Sequence, residues 1–493
     1  MTHPLVYEIN TRCWLRDLSI RHGRCLTLDT VPETEFSEWQ RRGFTHLWLM
    51  GVWTTGPRAR ELAQCDPALI AAYDALLPGW RAPDIGGSPY SIAAYTVPDA
   101  LGGEAGLQSF RQRLHAHGFR LLLDFVPNHL GVDHPWTREQ PDRFVQSPGP
   151  AAAAFRVTTP AGDRWLAHGK DPYFAPWTDT AQLDYRRAET RAALTALLQT
   201  IAARCDGVRC DMAMLLLQEV FARTWAEFPC PDAASPGEFW AEAIPAVKKQ
   251  HPDFLFLAEA YWGRERQLQL LGFDYTYDKQ LYDELLRGHG AGVQEHLLQS
   301  APEYVASSAH FLENHDELRV AGALALAPHR AAALTVLGLP GLRLLHEGQL
   351  TGARYHAPVQ LTRRPAEPPV PEVVALYDQL LAALARGGVG RGPAQLIAPR
   401  AAWPANPTHR HFILVLWPGA PDTFTLVTAN LAPHPGQCYV PLPVADLARR
   451  NWILRDLLSE EWHHRTGPEL QTRGLYLDLP AYGAQIFHAE PDD

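Results

Sequence analysis

The chain has 493 residues, 46% of them hydrophobic and 20% charged, with a formal net charge of −10 and no basic block. That length exceeds one compact core, so a large domain with at least one smaller one is expected, and the charge disfavours a nucleic acid or an anionic membrane as partner while suiting a neutral polyhydroxyl ligand. Seven scattered cysteines without metal-ligand spacing read as reduced thiols, no apolar run approaches membrane-spanning length, and no charged-then-apolar leader precedes the first strand-like run, so a cytoplasmic protein is expected.

In chain order, Tyr7 to Leu15 reads as a strand, Glu35 to Arg42 as a helix closed by Gly43, and His46 to Trp53 as a second strand. Gly106 to His117 is helical, and Arg120 to Val126 is a third strand. From Leu130 to Gln182 the chain is rich in Pro, Trp, Asp and Gly and too long for an ordinary loop, which predicts a small inserted domain over residues 130–182. Arg186 to Arg204 is an amphipathic helix leading to the strand Gly207 to Asp211, and Phe254 to Ala260, Phe273 to Tyr277, Ser308 to Glu313 and Gly341 to His346 complete a set of eight. Strands alternating with helices predict βα units and a parallel sheet, here a (β/α)8 barrel from residues 1–129 and 183–391. Residues 392–493 change character: short runs broken by Pro, Gly and Asn, such as Arg410 to Trp417 and Phe424 to Leu431, predict a C-terminal antiparallel β sandwich.

Four of the apolar runs end in an acid: Asp124, Asp211, Glu259 and, after Glu313-Asn314-His315, Asp316. Strand C-termini converge on one face of a parallel barrel, so acids far apart in sequence can meet there. Retaining cleavage of a glycosidic bond needs one carboxylate to attack the anomeric carbon and a second, protonated one to serve the leaving oxygen, about 5–5.5 Å apart. Asp211 and Glu259 fit that pair. Arg209, two residues before Asp211, shares its strand face and can keep it ionised, while the apolar run before Glu259 should raise its pKa as an acid requires. Asp316 beside His315 offers a third acid for sugar hydroxyls. Taken singly, Asp124 reads as well as a helix cap, Arg209 with Asp211 as a structural ion pair, and His129 or His315 as structural histidines; their joint order is what favours chemistry. Among the aromatics near the barrel-top loops, Tyr90 and Trp262 are the favoured sugar-stacking rings.

Asp124-Phe125-Val126-Pro127-Asn128-His129, Gly207-Val208-Arg209-Cys210-Asp211, Ala258-Glu259-Ala260 and Glu313-Asn314-His315-Asp316 resemble the four signature regions of the α-amylase family, glycoside hydrolase family 13, in the family's order. Ser88-Pro89-Tyr90 resembles the segment supplying a stacking tyrosine. The resemblance implies Asp211 as nucleophile, Glu259 as acid/base and Asp316 as transition-state stabiliser, with Tyr90, Asp124, His129, Arg209 and His315 around the sugar. It also implies a (β/α)8 TIM barrel with a domain inserted after strand three and a C-terminal β domain, and an α-1,4-glucan or maltooligosaccharide as substrate. Where calcium-binding members carry Lys-His after the nucleophile this chain has Met214-Leu215, so no cofactor is expected, although Asn128 keeps one calcium ligand. The expected activity is retaining hydrolysis; transglycosylation or isomerisation with the same residues, and a silent binding subunit, are the alternatives.

Overall fold

A computed structural model describes residues 2–230, 237–420, 422–459 and 461–492. Eight strands, Leu5–Asn10 (β1), His46–Met50 (β2), Arg120–Phe125 (β3), Gly207–Cys210 (β4), Leu255–Ala258 (β5), Tyr275–Tyr277 (β6), Ser308–His310 (β7) and Leu342–His346 (β8), pair in chain order and close into a barrel, β8 against β1. Every pairing is parallel. This is the (β/α)8 architecture expected from the alternating pattern.

Alternation along each strand divides the barrel wall into two faces. Leu5, Ile9, Leu47, Leu49, Leu121 and Leu123 pack outward against the helices, whereas Val6, Trp48, Met50, Leu122, Leu255, Leu257, Ala309 and Leu344 fill the interior. The inward parity of Val6, Leu122, Gly207 and Leu257 also carries Glu8, Asp124, Arg209, Asp211 and Glu259, so the polar residues cap the apolar filling at the C-terminal end of the barrel. Gly207 is required at the floor: a Cβ there would lie 2.5 Å from Leu122 Cδ2 and 2.6 Å from Leu255 O. Register then sets Arg209 opposite Asp124 on β3 and Leu257 on β5.

The first strand is shorter than the sequence predicts. It stops at Asn10, whose side chain accepts from Cys13 N and caps a helix over Thr11–His22 that Gly23 ends in the left-handed region. The apolar residues from Cys13 to Leu15 that resemble strand continuation are the buried face of that helix. Two helices, Pro57–Cys65 and Pro67–Leu76, also occupy the connection before β3, each opening on a proline.

Between β3 and β4, His129–Gly131 pairs antiparallel with Thr180–Gln182, and Gln146–Ser147, Ala154–Thr159 and Gly162–Ala167 form a three-stranded sheet. After the helix Pro371–Arg386, a six-stranded and a three-stranded antiparallel sheet enclose a separate core containing Phe412, Leu414, Leu426, Trp452, Leu454, Leu477 and Phe487. The strand Phe424–Asn430 is buried on both faces because its other side meets the barrel helix Leu326–Gly338, where Trp417 Nε1 also donates to Gly338 O (2.9 Å). No helix among the described residues is long and apolar enough to cross a membrane.

Candidate active site

Arg209 is the centre of the polar cap. Its guanidinium is fully buried and touches the faces of Tyr90, Trp48 and Tyr277 at 5.2, 5.4 and 5.8 Å. One amino group, Nη1, donates to Asp211 Oδ1 at 2.8 Å; the other, Nη2, lies 2.7 Å from Glu259 Oε2 and 4.0 Å from Asp316 Oδ2. The Nη2 contact is close in distance, yet Nη2 has no aligned hydrogen-bond partner, so Glu259 receives charge attraction without the directed bond Asp211 enjoys. Holding both carboxyls on one guanidinium brings the two together, as the about 5–5.5 Å spacing of a retaining pair requires.

Glu259 is buried at the tip of β5 and accepts from Met212 N (2.7 Å) and Tyr261 Oη (2.9 Å). Met212 adopts a left-handed backbone (φ 44°), the kind of strain that clusters at functional sites. Burial, opposed by Arg209 and reinforced by the charges of Asp211 and Asp316, pushes the Glu259 carboxyl up to about 7. The sequence expectation of a raised value holds, but its wall is a polar one with an arginine in it, and loss of water is the cause. Burial also raises Asp211, with the Arg209 charge and its aligned hydrogen bond pulling the other way.

A second chain of contacts runs from β1. Glu8, fully buried, meets His315 Nδ1 at 2.5 Å, and His315 Nε2 lies 2.6 Å from Tyr90 Oη and 3.0 Å from Asp316 Oδ2. Burial alone would lower the imidazole, but two carboxylates raise His315 well above its ordinary value and keep it an imidazolium. That cation in turn outweighs burial at Asp316 and holds its carboxyl down to about 2; Asp316 has a 44% exposed side chain. Asp124 takes Trp48 Nε1 at 3.2 Å and Gly51 N at 3.3 Å, and burial lifts it to about 7 against Arg209 and His315. His129, tilted against Trp177 with centroids 5.2 Å apart, is driven down to about 4 by burial and is neutral.

Tyr90, His129, Asp211, Glu259 and Asp316 line one cavity of 350 Å³ with Ser88, Trp177, Asp179, Tyr261 and Gln360, and Asp124, Arg209 and His315 stand directly behind this lining. Trp262 is elsewhere. It is 38% exposed and borders a neighbouring cavity of 170 Å³ with Tyr173, the two rings meeting edge to face at 4.9 Å. Sequence reasoning passed over Glu8 and Asp179 and counted Tyr261 only among the barrel-top aromatics it did not favour. Glu8 carries a readable signal, an acid at inward parity inside an apolar strand; Asp179 carries none, since its place depends on how the inserted segment folds back.

The residues do not fit an oxygen-ligand calcium cage. Asn128 Oδ1 accepts from Gln182 Nε2 (3.1 Å), Met214 and Leu215 are buried apolar side chains, and among the described residues there is no cluster of three or more His, Cys, Asp or Glu able to hold a metal.

Residues 76–285 match the α-amylase catalytic-domain family model. An α-amylase, MalA, of Haloarcula japonica is 28% identical over 53% of this chain and 36% of its own length, and an α-1,4-glucan:maltose-1-phosphate maltosyltransferase of Bifidobacterium longum is 26% identical over 40% of this chain and 23% of its own. The chain therefore spans about a third or less of these two relatives. The crystal structure of a maltogenic α-amylase, AmyB, from Thermotoga neapolitana superimposes with a TM-score of 0.67 over 98% of both chains at 18% identity, a likeness of fold.

Proposed function

Starting from a chain that carries a catalytic domain of the α-amylase family, we propose that it is a retaining α-glucosidic enzyme acting on short α-1,4-glucans or maltooligosaccharides. Asp211 attacks the anomeric carbon while Glu259 gives its proton to the leaving oxygen; Glu259, now a carboxylate, then takes a proton from water, which displaces Asp211 and releases the sugar with retained configuration. The observation that carries this reading is the shared guanidinium. One arginine binds both carboxyls, yet only Asp211 receives an aligned hydrogen bond, so the nucleophile keeps its charge more readily than the acid.

Asp316, ionised beside the His315 imidazolium, is suited to sugar hydroxyls that become more acidic as oxocarbenium character develops. Tyr90 stacks on the ring and His129 bonds its hydroxyls, while Asp124 and His315 support the site from behind, through Trp48 and Gly51 and through Tyr90 and Asp316. No step in this scheme needs a metal. We place the enzyme in the cytoplasm, on the support of seven cysteines that are all free.

Transfer to a sugar acceptor in place of water is the second reading, favoured by the exposed Tyr173 and Trp262 rings, which border a neighbouring cavity and would hold an acceptor there. The test is an NMR time course with maltooligosaccharides. Shorter products released first as the α-anomer support hydrolysis, longer products support transfer, and Asp211→Asn lowers either rate by at least about 10³-fold. If wild type and Asp211→Asn turned over every α-glucan equally poorly, the reading would fail.

A further inference from the structure

One carboxylate in the cavity has no task in the scheme above. Asp179 lines it between Trp177 and Thr180, and its backbone carbonyl is turned away, accepting from Ser91 Oγ (2.6 Å) and Val132 N (3.0 Å). The carboxyl makes no ion pair with any described residue, and its only hydrogen bond is to its own backbone N–H. Partly open to the cavity and held only by its own N–H, this carboxyl is free to accept a ligand's hydrogen bonds.

Its position along the cleft follows from the segment that carries it. Tyr173 meets Trp262, three residues past the acid/base, so this end of the segment lies on the leaving-group side. Four to six residues on, Trp177 to Asp179 runs along the catalytic cavity, Trp177 against His129 and Asp179 O accepting from Ser91 Oγ, with Tyr90 in the same lining. Asp179 thus stands on the donor side, beyond the sugar ring that Asp211 attacks. The cavity volume of 350 Å³ is at the small end of ligand sites, which run from about 300 to 1,000 Å³.

We propose that Asp179 closes the donor side of the cavity by accepting hydrogen bonds from hydroxyls of the terminal, non-reducing glucosyl ring, so that the enzyme takes chain ends and not internal segments of an α-glucan. The inference rests on the function proposed above and narrows its substrate. Burial raises the Asp179 carboxyl to about 6, so it accepts from two hydroxyls only in its ionised form above that pH. An internal segment would have to thread a further sugar past this carboxylate at the position where the terminal hydroxyls bind it.

The experiment compares the full chain on three probes: maltoheptaose, maltoheptaose blocked at its non-reducing end as the 4,6-O-ethylidene derivative, and β-cyclodextrin, which has no end. Wild type should cleave the open chain at least about 100-fold faster than either of the others, the scale of two lost hydrogen bonds to a charged group. Asp179→Ala should lose about 10- to 100-fold in kcat/KM on the open chain, chiefly through KM, and Asp179→Asn less, while the preference for open over blocked substrate narrows. Both variants should melt close to wild type, because the carboxyl has no partner beyond its own backbone N–H to lose. Equal rates on blocked and open chains, or an Asp179→Ala variant unchanged on the open chain, would overturn the inference and leave the proposed chemistry standing. Inactivity of wild type on all three would instead strike at the chemistry, and calorimetric binding of maltose by wild type and Asp179→Ala would then decide the residue's role: equal affinities overturn it and a drop of about tenfold or more supports it.

Discussion

The acid position should cost the protein stability, and the cost can be measured. Glu259 has a folded-state value of about 7 against an ordinary 4.5, because burial disfavours its charge. For an acid raised in this way the unfolded chain gives up its proton first. The penalty is absent well below pH 4.5, grows as pH rises, and is complete above about 7. Its size is the difference of about 2.5 in pKa multiplied by about 1.36 kcal/mol, or about 3 kcal/mol. Glu259→Gln keeps the shape, leaves Oε1 able to accept from Met212 N, and carries no charge to desolvate. At about 2.1 cal/mol/K per residue over 493 residues, the variant should melt about 3 °C above wild type at pH 8, with the difference vanishing toward pH 4, while losing its activity. Calorimetric scans of both proteins at matched rates, at pH 4 and pH 8, provide the measurement. A variant that melts lower than wild type at pH 8, or one with the same offset at both pH values, would refute the argument that Glu259 is held as a neutral acid by loss of water.

Three further outcomes follow from the same contacts. Tyr261→Phe removes a donor at 2.9 Å that favours ionised Glu259, so the alkaline limb of kcat/KM should move upward from about 7 to about 8, the effect of roughly 1.5 kcal/mol; a pH–rate profile with an unmoved or lowered limb contradicts the acid assignment. Glu8→Gln keeps a hydrogen bond to His315 Nδ1 but removes one of the two charges that hold the imidazolium. The His315 ring should then titrate at lower pH by about tenfold in proton affinity, read from its imidazole nitrogen resonances, with kcat falling more than KM rises; an unmoved resonance would show Glu8 to be packing only. Leu122→Ala, at the barrel floor under Asp124, should destabilise the fold by about 2–5 kcal/mol in denaturant titrations with little change in KM.

How far the site was legible depended on which physical rule placed each residue. Asp124, Arg209, Asp211 and Glu259 lie at or just beyond the tips of apolar runs, and period-two alternation fixes their direction once a parallel barrel is inferred, so the sequence carries their convergence. The same rule could have supplied Glu8, which repeats the inward parity of Val6, but reading Tyr7 to Leu15 as one strand hid it. Apolar residues from Cys13 to Leu15 serve a helix face as well as a strand, and the Asn10 cap that decides between them is a local hydrogen bond weaker as a signal than hydrophobicity. Trp262 lies outside the cavity of Asp211 and Glu259 for another reason. Three residues past β5 the chain has left the sheet, periodicity has no hold on direction, and the left-handed backbone at φ 63° turns the ring toward Tyr173 and away from the cavity.

The electrostatic arrangement explains why these side chains had to come from so many strands. Glu8, Asp124, Asp211 and Glu259 bring four buried carboxyls into one cap with the half-exposed Asp316 as a fifth at its rim, where Arg209 and His315 supply two positive charges. Such a cap cannot hold five negative charges, and protons must stay on the groups least served by the two cations. Asp211 has the aligned Arg209 bond and Asp316 the His315 bond, leaving Glu259 and Asp124 as the carboxyls raised to about 7. The proton that a general acid must carry is therefore placed by competition for two cations, and a barrel, whose neighbouring strands present inward residues at one level, is a fold that can bring all seven groups within that competition.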